Sequence, residues 1–191
     1  KNSSAEGAAS CPAGVSATAQ YRKWCGKLKE LLEGSDKAKI AFSKQTAINN
    51  GTLLPESKTT DIGSTRIAAS VKPDLEQMIK AAKADGKNLE PVSGYRSFEE
   101  QALQRIEFCS EGQTDVTVDR IFVDTTANCS TPVLIPGTSN HNKGKAMDFG
   151  FNGVTDDPSF GGTPEHAWLV QNASKYGFKV ISGEPWHWEK G

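Results

Sequence analysis

The sequence predicts an α+β fold, with helices packed around a small and mainly antiparallel sheet. Three observations point there. Stretches with apolar residues at helical spacing dominate the chain, and the extended candidates are few and short. A length of 191 residues suits one domain with room for a small accessory segment. No internal repeat is present.

Taken in order, 16–32 carries Tyr21, Trp24, Leu28, Leu31 and Leu32 on one stripe, which predicts a helix ended by Gly34. The stretch 40–55 is ambiguous and holds the turn signal Asn50-Gly51. Pro73 stands where a first helical residue should. Leu75, Met78, Ile79 and Ala82 continue at helical spacing up to Asp85-Gly86. Residues 89–93 are short and extended, and Pro91 puts them on a sheet edge, because proline has no N–H to give to a ladder. Ser97-Phe98-Glu99-Glu100 is a capping box, opening a helix that runs to about Phe108.

The Thr-, Asp- and Val-rich stretch 109–136 reads as an insertion, with Val116, Val118 and Phe122 in a hairpin. Residues 145–151 are a strand candidate and 156–162 a loop. Thr163-Pro164 caps a helix bearing Ala167, Trp168, Leu169, Val170 and Ala173 and closed by Gly177. Two short strands, 178–181 and 185–188, flank Ser182-Gly183. Trp24 and Trp168, at helical spacing, are core residues first.

Charge narrows the function classes. There are 22 Lys and Arg against 23 Asp and Glu, a formal net charge of −1. That balance argues against a nucleic-acid or anionic-membrane binder, which normally shows a basic excess. No run approaches the roughly 18 apolar residues of a membrane span. The aromatic content of 8% and the periodic segments argue against disorder. A monomer is the favoured state.

Four cysteines, Cys11, Cys25, Cys109 and Cys129, show no C-x-x-C spacing. Three pairings are possible. Cys11–Cys25 and Cys109–Cys129 is the one with the shortest loops, and the second bridge would staple the insertion to the core. Disulfides imply an oxidising compartment: periplasm, cell envelope or exterior. A start at Lys1, without Met or a charged-then-apolar leader, fits a mature form whose signal peptide has been removed. The polar lead-in 1–10 is expected to be flexible.

Only three histidines are present, which limits metal chemistry. Two of them stand near acids, in Ser139-Asn140-His141-Asn142-Lys143-Gly144-Lys145-Ala146-Met147-Asp148 and in Glu184-Pro185-Trp186-His187-Trp188-Glu189. A catalytic zinc wants three protein ligands and an open position, and His141, Asp148 and His187 supply such a set. Gly144 lets the chain fold back between the first two. Glu184 is then free to act as general base. Spacing alone leaves packing open, for H-x(6)-D says little and a Trp-His-Trp strand is commonly core. His166, in the first turn of its helix, has no neighbouring acid motif and reads as exposed or packing. Asp115, Asp119 and Asp124 lack a calcium-loop pattern and read as a solvated face.

Four ordered motifs carry a resemblance. Ser139–Asp148 fits S-x-H-x-x-G-x-A-x-D, and Glu184–His187 fits E-x-W-H. Ser93-Gly94-Tyr95-Arg96-Ser97 with Gln101 fits S-G-Y-R-S-x-x-x-Q. Ala167-Trp168-Leu169, Asn172-Ala173 and Tyr176-Gly177-Phe178 fit A-W-L-x-x-N-A-x-x-Y-G-F. Together, from about Val71 to Trp188, they resemble the VanY-type D-alanyl-D-alanine carboxypeptidases, relatives of VanX-type dipeptidases and some endolysins.

The resemblance implies a fold that carries one catalytic zinc ion, with His141, Asp148 and His187 as ligands and Glu184 as base and acid. Arg96 would stabilise the oxyanion, a fixed guanidinium aimed at developing negative charge. Ser139 and Gln101 would help hold the substrate, with capping or packing as the alternative. Trp186 and Tyr95 would wall the pocket, with core packing as the rival. The substrate would be a peptidoglycan stem peptide or muropeptide, cut at its C-terminal D-Ala-D-Ala bond. An endopeptidase cutting inside the stem or cross-bridge is one alternative, and a non-catalytic zinc-containing binding domain is another. Residues 1–70 are expected as an N-terminal helical extension packed on the core, and 71–191 as the catalytic domain. The long insertion and the short C-terminus depart from the group and bear on substrate choice.

Overall fold

A computed structural model describes residues 11–110 and 116–191. The expectations for the lead-in 1–10 and for Asp115 lie outside the described residues. The chain divides into two compact units, one from Lys1–Leu53 with Ser97–Asn142 and one from Leu54–Arg96 with Lys143–Gly191. The boundary expected near residue 70 falls inside a segment of the second unit.

The first unit is helical. It holds α1 (Cys25–Glu33), α2 (Lys37–Asn49), α4 (Phe98–Cys109) and the short α5 (Val118–Phe122). The helix expected over 16–32 begins only at Cys25, after one 3-10 turn at Arg22–Trp24. Its partner Cys11 is bonded to Cys25 at that first helical residue, so the chain before it is tied to the helix start. The ambiguous 40–55 resolves into α2 and the turn at Gly51, whose φ of +73° favours glycine.

Helix α4 starts as the capping box requires. Ser97 Oγ accepts from Glu100 N, and the Glu100 carboxylate accepts from Ser97 N. Leu28, Ile40, Leu53, Phe98, Leu103, Ile106, Ile121 and Phe122 bury together as this unit's core.

The expected hairpin in 109–136 is a correction. Val118–Phe122 is helical, because Thr117 caps it by accepting from Arg120 N and because the adjacent Ile121 and Phe122 are both buried. Strand alternation would have placed one of those two in water. The staple itself is present: Cys109–Cys129 closes the segment, and Cys11–Cys25 closes the other loop. Sequence separations of 14 and 20 correspond to about 3 kcal/mol each from the lost entropy of the unfolded chain. Arg105, 2% exposed, donates to the carbonyls of Val133, Arg120 and Asp124. Gln101 Nε2 donates to Leu134 O at 2.8 Å.

The second unit carries the sheets. A hairpin of β1 (Thr59–Ile62) and β2 (Thr65–Ala68), unforeseen in the sequence, forms a two-stranded sheet of its own beside a four-stranded sheet. That sheet has the order β3 (Glu90–Ser93), β4 (Ala146–Gly150), β6 (Glu184–Lys190), β5 (Phe178–Ile181), and all its pairs are antiparallel. Pro91 lies on the edge strand β3, as its missing N–H demands.

Helices α3 (Lys72–Ala84) and α6 (Pro164–Asn172) complete the unit. Pro73 occupies the first turn of α3, and Thr163 Oγ1 accepts from His166 N to cap α6. Leu75, Met78, Met147, Phe149, Trp168, Leu169, Phe178 and Trp188 form the core here. Gly94 is a close approach: a Cβ there would lie 2.1 Å from Arg66 O. No helix among the described residues is long and apolar enough to cross a membrane.

Arg105→Met should lower unfolding free energy by about 3 kcal/mol, since it takes a buried charged donor away from three half-buried carbonyls. Urea denaturation of the two proteins reads this directly, and a loss under about 1 kcal/mol would show that those carbonyls find other partners.

Candidate metal centre

Strand pairing builds most of the centre. Strands β4 and β6 pair with Met147 opposite Trp188 and Asp148 opposite His187. Side chains alternate along a strand, so Met147 and Trp188 share the core face while Asp148 and His187 share the other. Asp148 is 3% exposed and His187 8%, and Asp148 Oδ1 lies 2.8 Å from His187 Nδ1. His187 Nε2 lies 2.9 Å from Glu189 Oε1.

His141 is held differently. It sits in a turn before β4 and is 5% exposed. Its backbone N donates to Ser139 Oγ at 3.2 Å. Asn142, fully buried, accepts at Oδ1 from Gly137 N and Ser139 N and donates through Nδ2 to Ser97 O. Gly144 returns the chain toward β4 with a φ of +66°, and a Cβ there would press within 2.9 Å of Ala68. The fold-back expected of this glycine is therefore real, and the close approach requires glycine as much as the angle does.

One ligand atom from each of His141, Asp148 and His187 lies within 4.8 Å of the others, and all three residues are buried. Among the described residues this is the group of His, Cys, Asp or Glu able to hold a metal ion. Two imidazoles and one carboxylate suit zinc, and three protein ligands leave a position open. Without metal, burial alone would push the His187 imidazolium down. The hydrogen bond and charge of Asp148, followed by those of Glu189, outweigh burial and hold its pKa at about 9.

The remaining expected site residues fall as follows. Glu184 is half-buried at the first position of β6, three residues before His187. An odd separation puts two residues on opposite faces of a regular strand. Here the β5–β6 register jumps from Val180↔Trp188 to Ile181↔Glu184, so alternation is broken between them. Arg96 is half-buried after β3.

Tyr95 is 6% exposed, donates to Leu54 O at 2.8 Å and lies under the Arg66 guanidinium. Ser139 and Gln101 each spend a polar atom on the backbone, at His141 N and Leu134 O. Trp186 packs against the second core. His166 packs edge-on to Phe160 and Trp188. Asp124 accepts from Thr126 rather than joining an acidic cluster. Asn142 and Glu189 are the site-shaping residues that the motifs did not disclose. Glu189's one sequence signal is its place two residues after His187, on the same strand face.

A buried His-Asp-His set, two of its members on a small antiparallel sheet and the third in the turn before β4, marks an α+β fold with a candidate metal centre. Comparison with known proteins gives the family. The family model for VanY, D-alanyl-D-alanine carboxypeptidase, matches residues 64–189, so the chain belongs to the VanY D-alanyl-D-alanine carboxypeptidase family.

A D-alanyl-D-alanine carboxypeptidase of Enterococcus faecalis is 31% identical over 140 residues, covering 64% of this chain and 47% of that protein. The Bacillus subtilis protein YodJ is 32% identical over 126 residues, covering 59% of this chain and 42% of that protein. The chain thus spans about half the length of the curated relatives it matches. Among solved structures, the LdcB LD-carboxypeptidase is 26% identical with a TM-score of 0.54, over 73% of this chain and 70% of that one. VanYB, solved with D-alanine-D-alanine, is similar in fold at 23% identity and a TM-score of 0.50, over 72% of this chain and 81% of that one.

Asn142→Ala should destabilise the protein by about 2–3 kcal/mol, because it strips the Gly137 and Ser139 N–H groups of a buried acceptor. Chemical denaturation measures this, and an unchanged midpoint would mean that the turn holds itself. A pH prediction follows from His187 in the metal-free protein. Its pKa is raised from 6.5 to about 9, so the folded state binds the extra proton between those values. The stabilisation is complete below about pH 6.5 and is lost as pH rises through about 9. The urea midpoint of chelator-treated protein should therefore fall between pH 6.5 and 9, and a rise would refute the assignment.

Proposed function

We propose that the protein is a zinc-dependent carboxypeptidase that removes the terminal D-alanine from peptidoglycan stem peptides ending in D-Ala-D-Ala. The buried meeting of His141, Asp148 and His187, in a chain of the VanY family, carries this reading. Its extracytoplasmic placement is supported by two disulfides, which persist in oxidising compartments. In this reading the domain expected over 71–191 supplies every reacting group, and 1–70 is an extension.

His141, Asp148 and His187 would hold the ion. When bound, zinc supplies Lewis acidity, which activates water and polarises a carbonyl. Glu184 takes the proton of the attacking water and delivers it to the leaving amine. Arg96 places a fixed positive charge against the oxyanion as the tetrahedral centre forms. Tyr95 and Trp186 wall the peptide site, and Ser139 and Gln101 add to substrate holding through the structure that they maintain.

A second reading is supported by the likeness to the LdcB LD-carboxypeptidase: removal of a terminal D-residue that follows an L-centre. Mass spectrometry of digested muropeptides separates the readings. Free D-alanine released from pentapeptide stems alone supports the first, and release from tetrapeptide stems supports the second. Internal fragments mark an endopeptidase, and bound metal without any cleavage marks a binding domain.

Activity should vanish with a chelator and return with zinc. Glu184→Ala should keep zinc and lose at least about 100-fold in kcat. A fully active Glu184→Ala protein would overturn the mechanism.

A further inference from the structure

We propose that Glu189 is a positioning residue for His187, fixing the ring so that Nδ1 faces the metal and Nε2 keeps the proton. The inference rests on the reading of His141, Asp148 and His187 as metal ligands.

Both nitrogens of His187 have defined neighbours. Nδ1 lies 2.8 Å from Asp148 Oδ1, and Nε2 lies 2.9 Å from Glu189 Oε1. Asp148 belongs to the group whose ligand atoms converge, whereas Glu189 does not. The nitrogen beside Asp148 is therefore the one turned to the ligand side, and the other is turned to Glu189.

The strand makes this arrangement reproducible. Residues 187 and 189 are two apart on β6 and share a face. Opposite Glu189 stands Ala146, fully buried and too small to compete for the space or for the hydrogen bond. The Glu189 side chain is only 14% exposed, so water screens the contact weakly. An imidazole can turn over and exchange its two nitrogens. A carboxylate that accepts from Nε2–H selects one orientation and one tautomer, and makes Nδ1 a better donor to the metal.

The test uses the full chain loaded with zinc. In a long-range proton–nitrogen NMR spectrum of the 15N-labelled protein, His187 should show a proton on Nε2 and a metal-shifted, unprotonated Nδ1. The reverse assignment overturns the proposal. Zinc affinity, measured by competition with a chromophoric chelator, should weaken about 10–100-fold in Glu189→Ala. Glu189→Gln keeps an acceptor oxygen and should recover most of that loss.

Equal losses in both variants would make Glu189 a ligand or a simple charge and overturn the proposal, and no loss in either does the same. If Glu189→Ala does not fold, the wild-type spectrum and the Gln variant still decide. No readout here is hydrolysis. A protein that binds zinc in this manner but cuts no muropeptide fails the proposed function alone, and an active enzyme with Nε2 on the metal fails this inference alone.

Discussion

The pairing of β4 with β6 is the constraint on which the centre depends. Asp148 and His187 meet because they are directly opposite in an antiparallel register, and that register is enforced from the other face. Met147, Phe149 and Trp188 are buried in the core of the second unit. A slip of one residue would turn those side chains outward and bring the acid and the imidazole into the core. Apolar packing on one side of the sheet thus sets polar geometry on the other. Two buried polar groups, each costly when alone, are tolerated because they satisfy one another.

His141 reaches its place by another route. It belongs to no strand, and its turn is shaped by backbone N–H groups that donate to Ser139 Oγ and Asn142 Oδ1, with Asn142 in turn donating to the carbonyl of the α4 cap residue Ser97. The capping box and the histidine turn are therefore parts of one hydrogen-bonded arrangement. This gives Ser139 a concrete task in holding the His141 backbone.

Much of this was legible in the sequence where local chemistry decides the outcome. The Ser97 box, Pro73, Thr163-Pro164 and the apolar stripes of α3 and α6 act within one turn of chain, and the structure follows them. The meeting of His141, Asp148 and His187 was legible as a motif, and the disulfide pairing as loop arithmetic. Elements governed by distant contacts were harder. Helix α2 has one buried apolar residue, Ile40, and a widely exposed Phe42, so its stripe is faint. Val116-Thr117-Val118 alternates like a strand, yet Thr117 acts as a cap. The β1–β2 hairpin buries little besides Ile62, Ile67 and Ala68. Asn142 occupies a variable position of its motif and Glu189 lies two residues past the end of E-x-W-H, and their importance comes from partners that spacing does not reveal.

The stapled segment has a consequence for how such a chain diversifies. Its start is bonded at Cys109–Cys129, and farther along α4 grips it through Gln101 and Arg105. Insertions between fixed anchor points raise the closure cost only logarithmically with length. The interior of the segment can therefore be lengthened, shortened or rewritten while the helix that anchors it keeps its register, which makes it a cassette for sequence drift beside a fixed scaffold of caps and strands.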